Sequence, residues 1–191
     1  NTGTNTFSVD SASSMGLFSA KDSTGTRQPI TASPAVFRND LGGYMVLFGT
    51  GKLFSTTDAS DTSTQSVYGV WDKDAGTVPV VDTVPRPMSR SNLSARTLTE
   101  FSGTGGATGT KFYSASGAVV DYSSTSRGWY MDFSTAITGG RVIYPAQVVG
   151  FKTALLSSVS PVQGTPAACE SGKGTALNFL VPVEQGSNPT N

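Results

Sequence analysis

The chain of 191 residues contains no histidine. That removes Ser-His-Asp and Cys-His arrangements for nucleophilic catalysis, and with them histidine-based zinc, copper and non-haem iron sites. It has one cysteine, Cys169, so neither an internal disulfide nor a thiolate metal cluster can form within it. With no imidazole to activate it, this thiol is a poor nucleophile. Cys169 reads as a small buried side chain or as half of a disulfide to a cysteine outside the chain. Charge is scarce as well: Asp, Glu, Lys and Arg make up 14% of residues, and 13 basic side chains balance 13 acidic ones. No basic field exists to draw in nucleic acid, and no Lys/Arg run suits an anionic membrane surface. No apolar run approaches the roughly 20 residues that a membrane-spanning helix needs. What remains is oxygen chemistry: carboxylates, hydroxyls, or a calcium ion held by them.

What is present is small and polar. Apolar residues are 37% of the chain, 22 residues are glycine, and Ser and Thr fill much of the rest. Such a composition suits short strands joined by many turns, with a surface that is polar without being highly charged, as on an extracellular protein. The sequence opens at Asn1-Thr2-Gly3-Thr4 without a signal peptide or initiator methionine, and reads as a mature product or a piece of a longer protein. Residues 1–14 read as a loose polar lead-in, 15–186 as the folded segment and 187–191 as a polar tail.

The most informative stretch is Gln65-Ser66-Val67-Tyr68-Gly69-Val70-Trp71-Asp72, a strand pattern that stops at a charged turn. Residues 34–38 and 43–49 flank Asn39-Asp40-Leu41-Gly42 and predict a hairpin whose second arm is buried on both faces. Further strands are expected at 15–20, 94–101, 111–114, 127–133, 141–144, 147–155 and 175–183. Residues 53–64, 103–109 and 157–174 read as loops. Residues 77–92 contain Pro79, Pro85 and Pro87 and cannot be a central strand throughout. No window carries a helical period over ten or more residues. About nine to eleven short strands result, an all-β pattern that sandwich, barrel and propeller all fit.

Several segments in order narrow the choice. Arg27-Gln28-Pro29-Ile30-Thr31-Ala32-Ser33-Pro34 leads to Val46-Leu47-Phe48-Gly49-Thr50-Gly51, then to the strand ending Trp71-Asp72. Further on come Ser126-Arg127-Gly128-Trp129-Tyr130-Met131-Asp132-Phe133 and Arg141-Val142-Ile143. This order and spacing resemble the C-terminal β-propeller domain of the PilY1/PilC family, the tip-associated adhesin and biogenesis proteins of bacterial type IV pili. The resemblance implies a modified, quinoprotein-like propeller. At about 40–50 residues per blade, the chain supplies about four blades at most. It marks Gln28, Pro29, Gly49, Gly51, Tyr68, Gly69, Trp71, Asp72, Arg127, Gly128, Trp129 and Tyr130 as structural signature positions. The family's Asp-rich calcium loop has no counterpart here, so any calcium site is expected elsewhere in the parent protein and no cofactor is expected in this chain.

The tight acidic clusters are weak metal candidates. Asp58 and Asp61 form one, Asp72 and Asp74 the other, and neither supplies the later ligands that calcium wants. Turn capping by the carboxylates accounts for both. A glycosidase-type carboxylate pair has little support among 13 acids set mostly in turns. Trp129, Tyr130, Tyr68 and Trp71 could stack on sugar or a partner; packing inside the sheet is the expected role. Arg127 is expected to pair with Asp132 or a loop carbonyl. The sequon Asn92-Leu93-Ser94 carries little weight in a bacterial protein.

By resemblance, the chain is expected to be a non-enzymatic part of the type IV pilus system at a bacterial cell surface, pilus tip or outer membrane. It would promote pilus assembly, counter retraction and mediate adhesion to host cells or abiotic surfaces. Its partners would be minor pilins or the rest of its parent, without nucleic acid and without a membrane span. Two rivals stay open: a quinoprotein-like propeller enzyme, and a secreted carbohydrate-binding all-β module.

Overall fold

Alternation of side chains along successive strands builds this molecule. A computed structural model describes residues 16–75, 82–101, 112–133, 137–161 and 174–187. Cys169, the lead-in 1–14, the loop tip 103–109 and all of the tail but Ser187 lie outside the described residues. Nine strands are present among the described residues: β1 Ala35–Arg38, β2 Tyr44–Gly49, β3 Ser66–Asp72, β4 Ser94–Phe101, β5 Phe112–Ser116, β6 Gly128–Asp132, β7 Gln147–Gly150, β8 Thr153–Ser160 and β9 Thr175–Pro182. They form a six-stranded sheet in the order β1-β2-β3-β6-β4-β5 and a three-stranded sheet in the order β7-β8-β9. Only the β4–β6 pairing is parallel. Among the described residues, neither sheet closes on itself.

The period of two sorts the apolar residues into two cores. From β2, Met45 and Leu47 face one way and Val46 and Phe48 the other. From β3, Val67 and Trp71 join the first side, Tyr68 and Val70 the second. The first core is completed by Ala154, Leu156, Phe179 and Val181 of the three-stranded sheet. The second is closed by Ala20, Val84, Met88 and Leu93, from irregular segments laid across the sheet. Burial on both faces explains why β2 and β3 read as nearly continuous apolar runs. The β1–β2 turn takes Gly42 and Gly43 at φ of 92° and 67°, where a β-carbon is disfavoured, while the Asn39 carboxamide accepts the Leu41 N–H at 2.8 Å.

Four expectations need correction. Residues 16–20 do not form a strand. Phe18 makes only an isolated parallel bridge with Met88, and the segment serves as a lid of apolar side chains. Within 53–64, a short 3-10 turn spans Thr56–Ser60. The run 147–155 is a hairpin, β7 and β8, turning at Phe151-Lys152, and residues 141–144 form no strand but join the three-stranded sheet through an Arg141–Val159 bridge. Strand β8 continues to Ser160, into residues expected to be loop. Its serines hide an alternation in which Ala154, Leu156 and Ser158 point inward.

Candidate functional site

The signature residues converge on the β3–β6 ladder, where Tyr68 faces Tyr130, Gly69 faces Trp129 and Val70 faces Gly128. Trp129 is fully buried, and its indole N–H donates to the Val183 carbonyl at 2.8 Å. Its ring lies flat against two glycines. A β-carbon on Gly69 would sit 2.5 Å from the indole, and one on Gly186 would sit 2.1 Å from it. Gly128, at φ 128°, would drive a β-carbon to 1.9 Å from the Gly69 carbonyl oxygen. The glycines here make room for a tryptophan. Gly51 donates its N–H to the Pro29 carbonyl at 2.7 Å, and Gly49 lies directly under Val142.

On the second face, a chain of polar groups crosses the sheet. The Gln28 amide donates to the Thr64 carbonyl and to the Ser66 hydroxyl, both at 2.8 Å. Its carbonyl oxygen accepts from the Tyr68 hydroxyl. Ser66 donates to Asp132, which also pairs with Arg90, and the Arg90 guanidinium lies 4.0 Å over the Tyr130 ring. Burial pushes the Tyr68 phenol up to about 12, so it acts as a neutral donor at physiological pH. Ser66 resembles a nucleophile beside a carboxylate, but it is wholly buried and also accepts from Gln28. The cluster is a set of mutually satisfied groups that locks the strands together.

Arg127 takes a partner other than Asp132. Its guanidinium forms a two-pronged pair with Asp82, at 2.6 Å and 2.8 Å, with side-chain exposures of 3% and 1%. The remaining donors go to the loop carbonyls of Ser124 and Ser126, as one half of the expectation had it. Arg127 holds the Asp82 carboxyl below the usual carboxylate range. Arg90, which lay outside the signature, is the residue that neutralises Asp132.

The acidic clusters are occupied by the chain's own cations. Asp58 caps the 3-10 turn, accepting the N–H groups of Phe54 and Ser55 at 2.9 and 3.0 Å, and pairs with Lys52 at 3.0 Å. The Phe54 N–H and then the Lys52 amine keep its carboxyl far below the ordinary range. The carbonyls of Asp58 and Asp61 both accept from Arg141, which is 1% exposed. A loop whose oxygens already surround a guanidinium is a poor fit for calcium. Asp72 and Asp74 both bind Arg86, at 2.7 and 3.2 Å. Among the described residues, no three carboxylate, His or Cys side chains group to hold a metal ion. Tyr68 and Trp129 are fully buried, Trp71 nearly so and Tyr130 half-buried, which makes them packing groups rather than a sugar platform. The sequence carried no local sign of Arg90, Asp82 or Gly186, because each meets its partner only through the tertiary fold.

Comparison with known proteins gives a consistent result. A family model described as the PilY1 beta-propeller domain matches residues 3–111. A type IV pilus biogenesis factor PilY1 of Pseudomonas aeruginosa strain PAO1 is 36% identical over 156 residues, covering 76% of this chain and 13% of that protein. A PilY1 homolog of Xylella fastidiosa is 38% identical over 56 residues, 29% of this chain and 4% of that protein. The crystal structure of the Pseudomonas aeruginosa PilY1 C-terminal domain superposes with a TM-score of 0.71 at 31% identity, covering 90% of this chain and 34% of that one. The chain thus spans about an eighth of the length of the Pseudomonas aeruginosa strain PAO1 relative, of which it covers 13%. With its two open sheets, it is part of a β-propeller.

Proposed function

The chain belongs to the PilY1 β-propeller family, and on that premise we propose that it is a scaffold segment of a type IV pilus biogenesis factor. The observation that carries this reading is the 36% identity to a protein of that name over 76% of the chain. We assign it no enzymatic step and no cofactor: the polar groups of its signature cluster are spent on one another, and the acidic loops are spent on Lys52, Arg86 and Arg141. Its work is to present loops and strand edges from a rigid β framework. In the parent protein it promotes pilus assembly against retraction at the cell surface. There it contacts minor pilins at the filament tip and, through them or directly, a host or abiotic surface.

The test is to delete residues 16–187 in frame from the parent gene and to follow surface filaments by electron microscopy, with immunogold detection of the wild-type protein. Loss of filaments and twitching, with gold at filament tips in the wild type, is the expected result. Normal filaments in the deletion strain, or gold confined to filament-free material, overturns the reading.

A further inference from the structure

The connection between β2 and β3, residues 51–65, is a closed loop with an interior of its own. Its ends meet where the Thr50 N–H donates to the Ser66 carbonyl at 2.9 Å and the Ser66 N–H donates to the Thr50 hydroxyl at 2.8 Å. Compact surface loops with joined ends are frequently functional. This one is filled by the buried Arg141 side chain, whose guanidinium donates to the carbonyls of Lys52, Asp58 and Asp61. Asp58 fixes the turn from inside by accepting the Phe54 and Ser55 N–H groups.

This stiff backbone carries an exposed aromatic ring. Phe54 is 80% exposed although its own N–H is tied down. Leu53 and Ile30 are exposed as well. Ile30 belongs to the same corner, because the Pro29 carbonyl accepts the Gly51 N–H and the Thr31 hydroxyl donates to the Gly51 carbonyl. Exposed Ser55, Thr56 and Thr57 add an uncharged hydroxyl border. The three ionic side chains of the loop are engaged within it, Lys52 with Asp58 and Asp61 with the Ser63 N–H. An apolar centre, a polar rim and little free charge are the anatomy of a protein interface. Blade-on-blade packing in a propeller covers the faces of a sheet. This corner lies beyond the ends of β2 and β3, so that packing gives it no partner.

We propose that Phe54, with Leu53 and Ile30 beside it, is the anchor by which this segment docks on another protein, and that the partner supplies an uncharged apolar socket. The charge pattern selects this kind of partner. With Lys52 held by Asp58, the loop has no free cation of its own for a phosphate group or a lipid headgroup. A backbone fixed beforehand lowers the ordering cost of association, so one buried ring can carry a large share of the affinity. The inference rests on the pilus reading for the identity of the partner, which is a minor pilin.

The test titrates the full-length parent protein over immobilised soluble domains of the minor pilins. Phe54→Ser is expected to weaken binding about 30-fold or more, with the urea unfolding midpoint unchanged because the ring is exposed. Phe151→Ser is the control. It removes a more exposed ring at the β7–β8 turn, where Lys152 pairs with Asp40 at the other end of β2. That variant is expected to bind within about 2-fold of wild type. Raising salt from about 0.05 to about 0.5 M is expected to change wild-type binding less than about 3-fold, since no free charge of the loop takes part. Undiminished binding by Phe54→Ser, or equal loss in both variants, overturns the site. Steep weakening with salt overturns the uncharged socket. Wild-type protein that binds no minor pilin overturns the partner. If Phe54→Ser then abolishes self-association, or binding to phosphatidylethanolamine–phosphatidylglycerol vesicles, the ring serves a second copy or a membrane instead. Each of these results leaves the pilus reading standing if the deletion strain loses its filaments, and normal filaments there overturn that reading alone.

Discussion

The six-stranded and three-stranded sheets follow the same period of two and reach opposite states. In the larger sheet, β2, β3 and β6 have both faces covered, one by the other sheet and one by the apolar segments around Phe18 and Met88. It is further pinned by ion pairs to Asp82 and Asp132. In the smaller sheet only one face is buried: Ala154, Leu156, Phe179 and Val181 point inward, while Val148, Val149, Phe151 and Leu180 stand in solvent. The larger sheet is covered on two faces, one of them by the smaller sheet, while the smaller sheet keeps large apolar side chains exposed on its other face.

Substitutions can widen or collapse that contrast. The largest effect is expected from Trp129→Ala, which empties the space between Gly69 and Gly186 and strands the Val183 carbonyl; a loss of about 3–5 kcal/mol in urea unfolding is expected. Asp82→Ala comes next. It leaves the Arg127 guanidinium buried and unpaired, at a cost of about 3–5 kcal/mol, and the double variant with Arg127→Met should recover most of it. If the double variant is no more stable than the single, the pair is not what holds that loop.

Titration sharpens the comparison from the same side. The Tyr68 phenol is raised to about 12 when folded, above its ordinary 10.0. A raised group contributes stability that is complete below the unfolded value and lost as pH climbs toward the folded one. Stability should therefore decline between pH 10 and about 12, and Tyr68→Phe should flatten that limb in unfolding measured against pH. Asp58 is depressed, so its sign is reversed. Its contribution is complete above the ordinary value of 3.8 and drains as pH falls below it. Asp58→Asn is expected to reduce the acid-side slope. The smallest effect belongs to the smaller sheet: Phe151→Ser, at a hairpin tip that is fully exposed, should change stability by no more than about 0.5 kcal/mol. A large loss there would mean that the tip is covered in the folded protein.

How far the sequence could be read varied by element. The hairpin of β1 and β2, and strands β3, β4 and β6, were legible because apolar and β-branched residues there alternate or run together. Strand β8 was partly hidden because Ser157, Ser158 and Ser160 resemble loop residues, although Ser158 lies 1% exposed against the core. Residues 16–20 carry enough apolar character for a strand but use it to cover a face instead. Tyr68, Trp129 and Arg127 were marked by resemblance; the β3–β6 ladder sets Tyr68 opposite Tyr130 and Trp129 opposite Gly69, with Tyr68 and Trp129 packed in different cores. Asp82 meets Arg127 across 45 positions of chain, and Arg90 meets Asp132 across 42. No local pattern announces such a partner.

The sequence by itself determined the all-β class, the strands of the larger sheet, the exclusion of histidine and thiolate chemistry, and the family. Those properties are written in composition, in a period of two and in short motifs, all of them local. Only the tertiary structure decided which carboxylate neutralises which arginine, that the acidic loops enclose the chain's own cations, and which apolar side chains of the smaller sheet face the shared core. Pairing and desolvation depend on register between segments distant in the chain, and that register exists only once the sheets have formed.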